Sequence, residues 1–303
     1  MAYNEQYGRY VGMVEETLQA LLPEGGAVGP KDGEIPEHLR ASMRYSLLAG
    51  GKRVRPVLLL AACEMLDGNL EEARVPAAAL EMIHTYSLIH DDLPGMDDDD
   101  YRRGRPTNHR VYGVGHAILA GDGLLNYAYE CLLQNALSYP LNLEGHVKAA
   151  AAMAGCAGVR GMIAGQSLDL LSEHMEPDAD RLAYIHKHKT ADLMTAPLLA
   201  AGHIAGADGE KMKALARFGA CVGLAFQIDD DLLDLEGDAK LLGKQTGMDA
   251  KRGKMTWPSL VGAEAAREKA HALWRQAEEA LACFGEKAWF LHAFAVALAT
   301  REK

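Results

Sequence analysis

Two aspartate clusters, each closing a helix-like stretch, constrain this chain most: Asp91-Asp92-Leu-Pro-Gly-Met-Asp97-Asp98-Asp99-Asp100 and Asp229-Asp230-Asp231-Leu-Leu-Asp234. The first puts six carboxylates into ten residues. Two carboxylates about 4 Å apart repel by roughly 4 kcal/mol at an effective dielectric near 20. Crowding them behind apolar stretches therefore implies a cation held among them. Hard oxygen donors of this kind suit Mg²⁺, which takes one or two carboxylates and completes its shell with water and substrate phosphates.

The rest of the sequence reads as helix. Ala- and Leu-rich blocks separated by prolines dominate, and alternating strand patterns are almost absent. No low-complexity linker divides the chain, and the Gly/Pro-rich residues 23–36 read as a loop after one N-terminal helix. The expectation is an all-α fold in a single domain over residues 1–303. A net charge of −11 argues against nucleic acid as a partner. Base gathers instead at Lys52-Arg53-Val-Arg55, Arg102-Arg103-Gly-Arg105, Lys187-His-Lys189 and residues 244–254, as a site for metal and anion together would require. Five scattered cysteines without a CxxC pair read as buried free thiols in a reducing compartment. The polar N-terminus and the lack of any run of 18 apolar residues point to a cytoplasmic protein without stable membrane insertion.

Pro76 is placed to open a helix that runs from Ala77 through His90 into Asp91 and Asp92. Asp91 and Asp97 would not share a face on a straight helix, so a break at Pro94-Gly95 is needed to return Asp97 to Asp91. The proline-free residues 218–234 should be helical, with Gln227, Asp230, Asp231 and Asp234 in one polar stripe. Behind that stripe lie Gly223, Ala220 and Gly219. They either leave room for an elongated apolar ligand or let a neighbouring helix approach.

These segments resemble the trans-prenyl diphosphate synthases, specifically the bacterial farnesyl diphosphate synthase type. The likeness runs through Gly50-Gly-Lys52-Arg-Val-Arg55-Pro56, then Ile83-His84 to Asp97, then Arg102-Arg103-Gly-Arg-Pro-Thr107. It continues in Gly165-Gln166-Ser-Leu-Asp169, His188-Lys189-Thr190, Phe226-Gln227 to Asp234, and Lys244 with Gly253-Lys254. The resemblance implies an isoprenoid synthase fold, a helical bundle around a central cavity. It also implies a homodimer and a Mg²⁺-dependent condensation of isopentenyl diphosphate with dimethylallyl or geranyl diphosphate.

Carried over by position, Asp91, Asp92 and Asp97 match metal ligands on one wall. Asp230 matches their counterpart, supported by Asp231 and Asp234. Lys52, Arg55, His84 and Arg103 match the isopentenyl diphosphate pocket. Arg102, Lys189 and Lys244 match the allylic diphosphate pocket, assisted by Lys254. Thr190 and Gln227 match residues that turn oxygens toward the reacting carbons. Fixed Arg and Lys donors stabilise the departing diphosphate without reorganising. Water must be kept from the allylic cation. The segment from Glu236 to Thr256 and the terminal Arg301-Glu-Lys303 are candidate lids, the latter equally readable as a frayed tail.

Tyr86, five residues before Asp91, lies about 7.5 Å back along a helix at 1.5 Å per residue. With Ser87 beside it, it is the expected floor beneath the growing chain, favouring a fifteen-carbon farnesyl product. A geranylgeranyl diphosphate synthase is the nearest alternative. A terpene cyclase would not need the Lys52/Arg55/His84 pocket, and a silent regulatory subunit would be expected to have lost one of these motifs. The sequence departs from the family pattern in the extra Asp229 and in Met255-Thr256-Trp257.

Overall fold

A computed structural model describes residues 2–25, 34–173, 175–236 and 254–301. Lys244 and most of the expected Glu236–Thr256 lid lie outside these residues. The chain divides into two compact units, Met1–Leu60 with Asn69–Ala150, and Ala61–Gly68 with Ala151–Lys303. The described residues are overwhelmingly helical, as the sequence implies; their strands are a two-residue antiparallel pair, β1 (Tyr101–Arg102) and β2 (Arg105–Pro106).

The first unit is organised on α4 (Leu70–Asp91), which packs mainly on α6 (Val114–Ser138) and also on α1 (Tyr3–Leu21) and α2 (Glu37–Leu47). Asn69 caps α4 by accepting the Glu71 N–H at 3.0 Å, and Glu71 and Glu72 sit at its positive end. Pro76 does not open this helix as its sequence position suggested; it lies inside it. A proline there leaves the carbonyl four residues earlier without its helical donor. Asn135 Nδ2, from α6, donates to that Glu72 carbonyl at 3.2 Å. The interior proline is tolerated because a neighbouring helix replaces the missing donor. Beyond it, Ala77–Leu80, Met82 and Ile83 are all fully buried, so α4 is a core helix. Each large apolar side chain buried this way contributes about 2 kcal/mol.

The second unit is built on α11 (Gly209–Glu236), flanked by α10 (Asp192–Ile204) and by α13 (Ala263–Ala280). The short α12 (Trp257–Val261) precedes α13, and α14 (Trp289–Ala299) follows it. The proline-free second helix is thus present and extends beyond its sequence-defined limits. The small residues on it answer the open question. A Cβ on Gly223 would stand 2.4 Å from Ala191 Cα, and one on Gly219 would stand 2.7 Å from Thr195 Cα. These glycines permit close packing against the neighbouring helical segment; they do not leave a void.

Two stretches, Pro140–Ser172 and Ala282–Ala299, are apolar and long enough in total to cross a bilayer. Both are interrupted, the first between α7 (Leu143–Ala157) and α8 (Met162–Ser172), the second at Gly285 with φ +58°. No uninterrupted piece reaches the roughly 20 residues a spanning helix needs. All five cysteines are unpaired, but Cys283 is exposed and Cys156 half-buried, so burial is not general to them.

Candidate active site

In the first unit the end of α4 and the turn after it set out the acidic cluster. Pro94 and Gly95 stop the helix, and the chain returns so that the Asp97 N–H donates to the Asp91 carbonyl at 2.8 Å. This is the return the spacing required. Asp91 and Asp97 are half-buried, while Asp98 and Asp100 face solvent. Asp92 points inward, only 3 % exposed, and its carboxylate takes Arg102 Nε at 2.8 and 3.0 Å and Nη2 at 2.7 Å. Burial holds the Asp92 carboxyl above its usual pKa, with Arg102 only partly opposing it. A forked ion pair of this kind is a structural brace. Asp92, expected among the metal ligands, is thus engaged by Arg102 in this structure.

Arg103 and Gly104 both have positive φ, the geometry of the tight hairpin turn joining β1 to β2. That turn aims successive arginines apart: Arg102 goes to Asp92, whereas Arg103 donates to the Gly50 carbonyl. Gly51 permits this, since a Cβ there would sit 2.7 Å from Arg103 Cζ. Arg55 Nη1 lies 3.2 Å from His84 Nε2. Burial first, then the charges of Arg55, Arg103, Arg102 and Arg53, hold the His84 imidazole well below its usual pKa. His84 is therefore neutral at pH 7, accepting from Arg55 through Nε2. The structure thus brings Arg55, His84 and Arg103 together, with Lys52 exposed on the adjoining loop.

Tyr86 is 6 % exposed, lies edge-on to His90 at 5.8 Å, and its buried hydroxyl has no hydrogen-bond partner among the described residues. Ser87 turns its hydroxyl back to the His84 carbonyl at 2.9 Å.

The second unit carries the other motifs on a feature the sequence did not disclose. Between α9 (Ala179–Ile185) and α10, residues His186–Ala191 form a π-helical turn, a form that recurs at functional sites. It carries Lys189 and Thr190. Gly165 of α8 lets the turn approach, because a Cβ there would lie 2.2 Å from the Lys189 backbone nitrogen. Lys189 Nζ pairs with Asp169 Oδ2 at 2.5 Å, which gives the Gly165–Asp169 motif a positioning role. Thr190 Oγ1 donates to Gln227 Oε1 at 2.7 Å, and Gln227 Nε2 donates to Asp231 Oδ1 at 3.0 Å. With Asp169, His186 and Lys254 these groups line a cavity of about 150 Å³.

The carboxylates of the second cluster have different fates. Asp229 accepts from Trp274 Nε1 at 2.8 Å, so the extra aspartate serves packing against α13. Asp231 is buried and also accepts the Trp257 N–H at 3.0 Å. It braces the start of α12, the place where Met255-Thr256-Trp257 departs from the commoner sequence. Asp230 and Asp234 remain half-buried. Arg301 reaches Asp230 Oδ1 at 2.5 Å and the Phe226 carbonyl at 3.0 Å, and stacks over the Phe226 ring. Arg301 is thus docked on α11.

Burial is the chief cause that takes the His186 imidazole down to about 4, with Asp169 opposing and Lys189 and Lys269 reinforcing. The folded state thus holds His186 neutral where the unfolded chain binds a proton below about pH 6.5. Its stabilisation is complete above that pH and is lost as pH falls toward 4, by about 2 kcal/mol at pH 5. We expect His186→Gln to flatten this dependence. Urea unfolding near pH 7.5 and near pH 5 checks it; equal losses in parent and variant would contradict the assignment.

The profile of the family described as "Polyprenyl synthetase" matches residues 36–290. The chain belongs to the polyprenyl synthetase family. This polyprenyl synthetase is 46 % identical over 272 residues to geranylgeranyl pyrophosphate synthase 11, chloroplastic, of Arabidopsis thaliana, covering 88 % of this chain and 75 % of that protein. It is 45 % identical over 297 residues to a dimethylallyltranstransferase of Fischerella ambigua, covering 96 % and 83 %. Among solved structures, an FPP/GFPP synthase from Zymomonas mobilis superposes with a TM-score of 0.83 at 32 % identity, covering 97 % of this chain and 98 % of that one. The polyprenyl synthetase is accordingly a short-chain trans-prenyltransferase with the helical isoprenoid synthase fold.

Proposed function

We propose that this prenyltransferase condenses isopentenyl diphosphate with dimethylallyl or geranyl diphosphate and releases farnesyl diphosphate. The observation that carries the product assignment is Tyr86: a bulky ring on α4, buried five residues before Asp91. Geranylgeranyl diphosphate is the second reading, supported by the Arabidopsis relative's name.

Mg²⁺ is the proposed cofactor, and the donor set fits it. In the first unit Asp91 and Asp97, and in the second unit Asp230 and Asp234, offer half-buried hard carboxylate oxygens. Among the described residues no three His, Cys, Asp or Glu side chains form a ready metal cage. When bound, Mg²⁺ would neutralise charge on the leaving diphosphate. We assign Asp92 and Asp231 supporting roles because both are buried, Asp92 against Arg102 and Asp231 against the Trp257 N–H.

Arg55, neutral His84, Arg103 and Lys52 bind isopentenyl diphosphate in this reading, with Arg offering a forked grip on phosphate oxygens. Arg102, Lys189 and Lys254 bind the allylic diphosphate, with Lys244 as a further candidate. The hydroxyl of Thr190 and the amide of Gln227 hold each other and direct dipoles at the developing cation. The 1–303 chain acts as one catalytic domain in the cytoplasm, with no nucleic-acid partner. Incubation with labelled isopentenyl diphosphate and each allylic starter, with products separated by length, tests this. A fifteen-carbon product is expected; twenty carbons would favour the second reading, and no condensation would remove both.

The working form is proposed to be a homodimer. Leu119, Leu133 and Leu137 recur along α6 and are each more than half exposed, an apolar stripe that a second copy would cover. Leu133→Glu with Leu137→Glu should convert the dimer to monomer in sedimentation velocity. A parent protein that sediments as a monomer would refute the dimer.

A further inference from the structure

Between Lys52 and Arg55 the chain does something the basic motif does not require. Gly50, Gly51 and Arg53 all have positive φ, at 80°, 134° and 49°. For a non-glycine residue such as Arg53 this conformation is strained and must be held by its surroundings. Lys52 faces solvent and Arg55 is half-buried, yet Arg53 between them is 2 % exposed. All three of its donor nitrogens are engaged. Nε meets Glu15 Oε1 at 2.7 Å, Nη1 meets Glu81 Oε1 at 2.7 Å, and Nη2 donates to the Leu47 carbonyl at 2.8 Å. The loop is fastened from outside as well, by the Tyr7 hydroxyl donating to the Lys52 carbonyl.

These partners come from different elements. Glu15 and Tyr7 belong to α1, Leu47 closes α2, and Glu81 lies on α4 one turn before His84. Arg53 therefore ties the loop bearing Lys52 and Arg55 to the helix bearing His84. The same loop carries the Gly50 carbonyl that receives Arg103.

We propose that Arg53, clamped by Glu81 and Glu15, is a positioning residue that presets the pocket for the isopentenyl, non-ionising diphosphate. Arg53 acts through the loop, its own guanidinium being fully used inside the protein. The inference rests on the pocket assignment proposed above. Because Arg102 and Lys189 have other partners, Asp92 and Asp169, the clamp serves one diphosphate and leaves the other alone.

The test is the Glu81→Gln variant, which keeps shape and removes charge from the buried pair. Isopentenyl diphosphate binding is measured by titration calorimetry without the allylic substrate, and KM is measured for each substrate. A preset pocket predicts that affinity for isopentenyl diphosphate weakens about tenfold or more, and its KM rises in step, while KM for the allylic diphosphate stays within about twofold. Glu15→Gln, at the more exposed end of the clamp, should give the same one-sided change at about threefold. It carries the test if Glu81→Gln does not fold. A merely structural clamp would lower the melting temperature and leave both KM values unchanged or move them together; either result overturns the proposal. Binding in the parent protein that is undiminished in both folded variants would sink the clamp alone. No binding in the parent would sink the pocket assignment, and the clamp with it.

Discussion

Asp91→Asn and Asp230→Asn are each expected to lower kcat by about 10²- to 10³-fold, the scale set by removing one preorganised electrostatic group at a transition state. The substitutions are isosteric, so the fold should tolerate them. At Asp91, which is half-buried, the isosteric change should alter stability by about 1 kcal/mol or less. At Asp230 it weakens the pairing with Arg301, but the Asp230 side chain is 43 % exposed, so the cost should be about 1 kcal/mol or less. Activity and stability are thus predicted to separate. Steady-state rates at saturating substrate, with circular dichroism melting, check the pair. Near-parental rates in well-folded variants would remove the metal assignment.

Tyr86→Ala is expected to shift the main product to a longer chain by at least one isoprene unit. The expected effect is steric. The ring occupies a buried position along α4 behind Asp91, and truncation to Ala leaves empty volume that a growing apolar chain can fill. The same truncation costs stability, about 3–5 kcal/mol for a large buried aromatic if nothing refills the space. Tyr86→Phe separates volume from polarity. Because the buried Tyr86 hydroxyl has no partner among the described residues, its removal should be neutral or stabilising and should leave product length unchanged. Chromatography of products from both variants decides this. Unchanged length in Tyr86→Ala would end the floor assignment; altered length in Tyr86→Phe would move it from size to hydrogen bonding.

Much of this architecture was legible in the sequence because it depends on local chemistry. Proline and glycine after Asp92 forced the return of Asp97, and the stripe from Gln227 to Asp234 followed from helical spacing. What escaped depended on partners distant in the chain. Pro76 looked like a helix start because nothing nearby reveals that Asn135 would supply the missing donor. Gly219 and Gly223 could have bordered a cavity or a neighbouring backbone, and only the approach of Ala191 and Thr195 decided between them. The sequence could not show which protein partners each aspartate meets: Arg102 pairs with Asp92, and the Trp257 N–H and Gln227 bond Asp231. Arg53 looked like one more phosphate cation in a basic run. Its positive φ, invisible in the residue type, turns it inward.

One equilibrium experiment reaches the heart of the proposal without turnover: binding of a non-ionising thiolodiphosphate analogue of the allylic substrate, with Mn²⁺ as a spectroscopic replacement for Mg²⁺. Electron paramagnetic resonance should show that analogue and ion bind together in the parent protein, each strengthening the other. Asp91→Asn and Asp230→Asn should each abolish that coupling. An analogue that binds equally well without the ion, or variants that retain the coupling in full, would contradict the account.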